Sequence, residues 1–136
     1  MLVTRDEVVA AGERIAGKVE NTPLIESEVE GVRVWLKCEC LQTGGAFKLR
    51  GATNAVRSLP DDVAARGVAT HSSGNHGAAL ALAARLRGIP AYVVMPENSA
   101  AVKIEAVRQS GGEIVFCKPG RVARDVVRRE DRACVP

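Results

Sequence analysis

The sequence predicts an α/β fold, a parallel sheet with flanking helices, and three observations carry that expectation. From residue 67 onward, the apolar runs "GVATH", "AYVVMP" and "EIVFC" alternate with the helical stretches "GAALALAARLRG" and "AAVKIEAVRQSGG". Strand–helix–strand–helix–strand order with short connections implies parallel strands joined by right-handed crossovers. Aromatic residues make up 3% of a chain that is 46% apolar, so its core must be built from Ala, Val, Leu and Ile. Finally, 136 residues suffice for one modest domain with a genuine core but hardly for two.

The elements follow in order. Thr4 and Glu7 form a capping box, and Val8, Ala11, Ile15 and Val19 recur at helical spacing, predicting a helix over about residues 5–19. "NTPL" ends it, because Pro23 restricts the chain to extended geometry. "VRVWLKCEC", residues 32–40, alternates and reads as a half-buried strand, with Val32, Val34, Leu36, Cys38 and Cys40 on one face. The loop "LQTGGA" leads into a helix from about Phe47 to Ser58, stopped by Pro60. Val68 to His71 is a short strand, and the helix after it ends at Gly88 and Pro90. "AYVVMP" is a strand of the fully buried type. The next helix is capped near Asn98 or Ser99 and closed by Gly111 and Gly112, with "EIVFC" as the last strand.

Charge and cysteine usage exclude several function classes. The net charge of +3 comes from the tail: residues 1–117 carry 13 basic and 13 acidic side chains, whereas residues 118–136 carry six and three. A basic tail without aromatic or motif support reads as a solvated segment, not a nucleic-acid surface. No run approaches the roughly 20 apolar residues that cross a bilayer, and "MLVTRDEVVAAGERIAGK" lacks a signal-peptide core, so a cytoplasmic location without membrane contact is expected. Cys38 and Cys40 are too close for a zinc knuckle, and His71 and His76 lack metal spacing to any cysteine. No metal is expected, and the thiols read as small buried groups in a reducing compartment.

Two strand-to-helix turns hold the chemistry. In "HSSGNHG", residues 71–77, the free N–H groups of a helix start could hold a carboxylate or phosphate with help from Ser72, Ser73 and Asn75. The same residues could equally be plain helix caps. In "TGGAFKLRGA", residues 43–52, Lys48 stands where a helix N-terminus repels a cation, so either it points into solvent and tolerates the field or something there needs an amine. A lysine desolvated by Phe47 beside that positive end would have a lowered pKa, which suits condensation with a carbonyl. The stretch is not a P-loop, no G-x-G-x-x-G occurs, and there is no G-x-S-x-G elbow.

Together, "KCECLQTGGAFKLRGATNAVRSL" and "ATHSSGNHGAALALAARLRGIPAYVVMPENSAAVK" resemble the fold-type-II pyridoxal-phosphate enzymes, most closely the serine/threonine dehydratase and serine racemase group, over about Thr22 to Cys117. The resemblance implies a three-layer parallel sheet with flanking helices, the small domain plus the N-terminal part of the large domain of a tryptophan-synthase-β-like fold, truncated. Residues 1–50 would be a helix and strand of the incomplete large domain, 51–117 the α/β small domain, and 118–136 a basic divergent tail. It further implies that Lys48 binds pyridoxal phosphate covalently and then acts as base at the substrate Cα. Phe47 would pack by the cofactor, and Asn75 would hydrogen-bond the ring hydroxyl. Ser72, Ser73, Gly74, Asn75 and His76 would receive the substrate carboxylate, with Ser73 also a catalytic group opposite the lysine in racemases.

The implied activity is a dehydratase (ammonia-lyase) converting L-threonine or L-serine to a 2-oxo acid and ammonia, in a truncated form with little turnover alone. A serine racemase-type isomerase and a non-catalytic, small-anion-binding fragment are the alternatives. An amino-acid substrate and a homodimer are the implied partners. Arg50-Gly51 after the lysine favours this group over the cysteine synthases. The sequence departs from the family where Gly44-Gly45 replaces Thr-Gly and where Lys118-Pro119 replaces Glu-Pro.

Overall fold

A computed structural model describes residues 2–119 and 133–135. Helix α1 (Arg5–Ile15) opens on the expected capping box: the Glu7 N–H donates to Thr4 Oγ1 at 3.3 Å, and the Thr4 N–H donates to Glu7 Oε2 at 2.8 Å. It stops at Ile15 rather than residue 19, because the chain leaves helical geometry at Ala16, where ψ is 131°. Strands β1 (Leu24–Val29) and β2 (Val32–Lys37) form an antiparallel hairpin with Ile25 opposite Leu36 and Glu26 opposite Trp35.

The hairpin corrects two expectations. β1 was not legible beyond the extended geometry at Pro23, and β2 is not half-buried: Trp35 is 57% exposed and Leu36 48%, so neither face is covered. It also ends at Lys37 instead of running to Cys40, since Glu39–Leu41 forms a short 3₁₀ turn. Cys40 and Cys134 are exposed, and Cys38 and Cys117 intermediate, so the cysteines are free thiols but not buried ones.

Helix α2 (Lys48–Ser58) buries Leu49, Ala52, Thr53 and Val56, residues spaced three and four apart on one face. A short helix α3 (Asp61–Ala64) follows. Helix α4 (Asn75–Arg87) packs against α2 and is buried nearly all round, from Ala79 to Ala84. Leu49, Ala52 and Val56 of α2 pack with Leu80, Ala83 and Ala84 of α4 as the main core. Arg87 fastens the end of α2: its Nη2 donates to the Leu59 carbonyl at 2.9 Å and to Asp61 Oδ1 at 2.7 Å, and its Nη1 donates to the Val56 carbonyl. Carbonyls at a helix C-terminus carry partial negative charge and favour such a cation.

The sheet is parallel, in the order β5-β4-β3-β6, built from β3 (Val68–His71), β4 (Ala91–Pro96), β5 (Glu113–Cys117) and β6 (Ala133–Cys134). Helix α5 (Ala101–Gln109) joins β4 to β5. Its cap is Ala100 and not Asn98 or Ser99, because the Ser99 N–H turns back to the Pro96 carbonyl at 3.0 Å. Val93, Met95 and Val107 form a second buried cluster on the helix side of the sheet. The strand β6 corrects the reading of the tail as solvated throughout. Val68 pairs with Ala133, the Val135 N–H donates to the Ala69 carbonyl at 2.9 Å, and the Val135 side chain is 6% exposed. An apolar residue in register with a buried strand gains more from the core than from water. Residues 120–132 and 136 of the tail lie outside the described ones.

Candidate functional site

The lysine turn is built from the chain around it. Gln42, 3% exposed, accepts at Oε1 from the N–H groups of Glu20 (2.9 Å) and Thr43 (3.1 Å), and donates from Nε2 to the Glu20 carbonyl (3.1 Å). Gly44 and Gly45 then take φ of 79° and 69°, a region that L side chains rarely adopt. This double left-handed turn delivers Phe47 and Lys48 to the start of α2. Arg50, in the same first turn, donates to Glu39 through Nε (3.0 Å) and Nη2 (2.8 Å), and also to the Thr22 hydroxyl and Glu20 carbonyl. Thr22 Oγ1 donates to Glu39 Oε1 at 2.6 Å, and Lys37 Nζ donates to the Thr22 carbonyl at 2.7 Å. The Arg50 and Thr22 hydrogen bonds hold the Glu39 carboxyl well below the usual range, at about 2. Sequence reasoning missed Glu39 and Thr22. The alternation in "VRVWLKCEC" put Glu39 on a plain polar face, and nothing in it marked a partner.

The second turn connects β3 to α4. Ser72 Oγ accepts from the Gly74 N–H at 3.2 Å and the Gly77 N–H at 3.1 Å, so it caps the helix while its own hydroxyl proton stays free to donate. Gly74 is the N-cap, and Asn75 and His76 open the helix. At Gly77 a Cβ would stand 2.8 Å from Val93 Cγ1, so glycine lets α4 press onto β4. Ser73 and Asn75 are exposed, and His76 is intermediate. Lys103, which the sequence reading did not single out, donates from Nζ to Asn75 Oδ1 at 2.8 Å.

The two turns meet. Phe47, Lys48, Arg50, Gly51, His76 and Val135 line a hollow of about 350 Å³, together with Ala52 and Ala55. Asn75 lines a neighbouring hollow of about 320 Å³ with Thr43, Gly44, Ala46 and Leu49. Lys48 and His76 are therefore brought together, while Asn75 faces the adjoining space. Lys48 Nζ lies 5.0 Å from the Phe47 ring centroid, and the lysine makes no hydrogen bond or ion pair among the described residues. It is exposed, as is Phe47, so the expected desolvation by Phe47 is not met; the ring offers a cation–π contact instead. Burial, and then the nearby Lys48 charge, push the His76 imidazole below its ordinary value, against a backbone hydrogen bond at Val135. Its Nε2 is buried with no hydrogen-bond partner among the described residues.

An unpaired amine, a neighbouring aromatic ring and a buried, unpartnered imidazole nitrogen around one largely apolar hollow suit an aromatic carbonyl compound. Pyridoxal phosphate has that chemistry, and these residues fit it. The fold and this lysine-bearing turn are compatible with an α/β protein that takes a carbonyl cofactor. The chain belongs to the family "Pyridoxal-phosphate dependent enzyme", whose model matches residues 15–134, beyond the 22–117 expected on both sides. It is 49% identical over 118 residues to a serine racemase of Oryza sativa subsp. indica, covering 84% of this chain and 35% of that one. It is 48% identical over 126 residues to a beta-hydroxyaspartate dehydratase of Paracoccus denitrificans, covering 90% of this chain and 40% of that one. The structure of maize serine racemase superposes with a TM-score of 0.92 at 41% identity, covering 96% of this chain and 43% of that one. The chain thus spans well under half the length of these relatives.

Proposed function

We propose that this chain supplies the lysine side of an active site that removes the Cα proton from a small β-hydroxy amino acid of the serine type. The observation that carries the reading is Lys48: a solvent-facing amine with no ionic partner among the described residues, on the rim of a hollow shared with His76. Lys48 is the residue that would hold pyridoxal phosphate covalently, with Phe47 beside it and Asn75 contributing a polar contact. Bound there, pyridoxal phosphate would serve as the electron sink for a Cα carbanion. Lys48 Nζ, when not bonded to the cofactor, would be the group that takes the Cα proton. Ser72, Ser73, Gly74 and His76 are proposed to receive the substrate carboxylate, with the Ser72 hydroxyl proton and the helix N-terminus as donors.

Two outcomes share that first proton transfer. Returning a proton to the opposite face, from the Ser73 side, racemises serine, and the similarity to the rice and maize racemases favours this outcome. Loss of the β-hydroxyl as water, followed by hydrolysis of the resulting enamine, instead gives a 2-oxo acid and ammonia, the dehydratase reading, and the similarity to the hydroxyaspartate dehydratase favours that one. Incubation with pyridoxal phosphate and L-serine in D₂O separates them. Deuterium at Cα with D-serine supports racemisation, and pyruvate with ammonia supports dehydration. Exchange as fast in Lys48→Ala as in the natural chain contradicts both.

A further inference from the structure

We propose that Lys103 is a positioning residue that fixes which end of the Asn75 carboxamide faces the site. The two residues are 28 apart in sequence, yet Lys103 Nζ meets Asn75 Oδ1 at 2.8 Å. An ammonium group has three donors and no acceptor, so it can hold only the oxygen end of an amide. A flipped carboxamide would set N–H against N–H. The Asn75 amino group is thereby turned away from Lys103, as a donor kept in one orientation. Asn75 lines the hollow beside Thr43 and Gly44, next to the one that Lys48 and His76 share.

The position of Lys103 supports a dedicated role. It sits in the first turn of α5, where the positive helix end disfavours a cation, and makes no ion pair with a carboxylate among the described residues. The Asn75 oxygen is the partner that compensates for this placement. The same contact links the first residue of α4 to the first turn of α5, so it also fixes the spacing of the two helix starts.

The cofactor consequence rests on the reading of Asn75 as a cofactor-contacting donor; the orientation itself does not. The test uses the whole chain, with Lys103→Met, Lys103→Arg, Asn75→Ala and the double variant. The first readout is the Asn75 side-chain amide by ¹⁵N relaxation, without cofactor. Lys103→Met should leave it averaging between orientations, and Lys103→Arg, which keeps a donor, should hold it. An Asn75 amide equally ordered in Lys103→Met overturns the proposal. The second readout is pyridoxal phosphate uptake followed by absorbance. Lys103→Met and Asn75→Ala should each weaken it by about two- to tenfold, the range of one net hydrogen bond, without adding in the double variant. If Lys103→Met frees the amide but Asn75→Ala takes up cofactor normally, the reading of Asn75 fails while the positioning role stands. Circular dichroism on each variant separates either result from loss of fold.

Discussion

Arg50 forks onto both carboxylate oxygens of Glu39, Nε to Oε2 at 3.0 Å and Nη2 to Oε1 at 2.8 Å. This pair ties the first turn of α2, which carries Lys48, to the 3₁₀ turn after β2. The pair is partly exposed, with side-chain exposures of 29% and 20%, so its value lies in geometry more than in raw attraction. A lysine at position 50 could not reproduce two parallel bonds. Arg50→Lys is therefore expected to lower cofactor uptake at Lys48 more than it lowers the midpoint of urea unfolding.

The same pair gives the fold an acid sensitivity of known sign. The Glu39 carboxyl lies at about 2 in the folded chain against an ordinary 4.5. Its contribution is fully present above about pH 4.5 and is lost as pH falls toward 2, where the folded form takes up its proton. In urea titrations across that window, Glu39→Gln should lose stability less steeply than the natural chain. Parallel curves would mean that Glu39 is not held as described.

His76 should titrate below 6.5, because burial and the Lys48 charge both disfavour its protonated form. A histidine ring titration by NMR measures this directly. Lys48→Met should raise the His76 value part of the way back, leaving the larger effect of burial in place. An unchanged value would separate the two side chains that the shared hollow brings together.

Packing behind the site is tight, and two substitutions gauge it. Gly77→Ala forces a Cβ to within 2.8 Å of Val93 Cγ1 and is expected to cost about 1–3 kcal/mol through overpacking. Leu80→Ala, at a fully buried position between α2 and the sheet, should cost about 2–5 kcal/mol through the cavity it leaves. Urea unfolding midpoints read both.

Much of this was legible in the sequence, for physical reasons that differ by region. The strands around Val68, Val93 and Val115 and the alanine-rich α4 follow from apolar patterning, because a parallel sheet with a packed helix leaves those residues few alternatives. The two turns were legible because Gly44, Gly45, Gly74 and Gly77 punctuate them. The hairpin was not legible as an exposed one. Alternation in "VRVWLK" reads as half-burial only if something covers one face, and exposure depends on neighbours that local pattern does not encode. Short β6 escaped notice because two residues carry no period, and its burial depends on pairing with distant Val68. In the site, residue identity pointed to Lys48 and Asn75. Partnership did not: the Glu39–Arg50 fork and the Lys103–Asn75 contact join residues 11 and 28 apart.

The most direct measurement is of Lys48 itself. The purified chain is mixed with pyridoxal phosphate, its visible absorbance recorded, the adduct reduced with borohydride, and the modified peptide located by mass spectrometry. The expected result is a visible band in the natural chain, label confined to Lys48, and loss of both in Lys48→Ala. Label spread over several surface lysines, with Lys48→Ala indistinguishable from the natural chain, would contradict the assignment of Lys48 as the reactive amine.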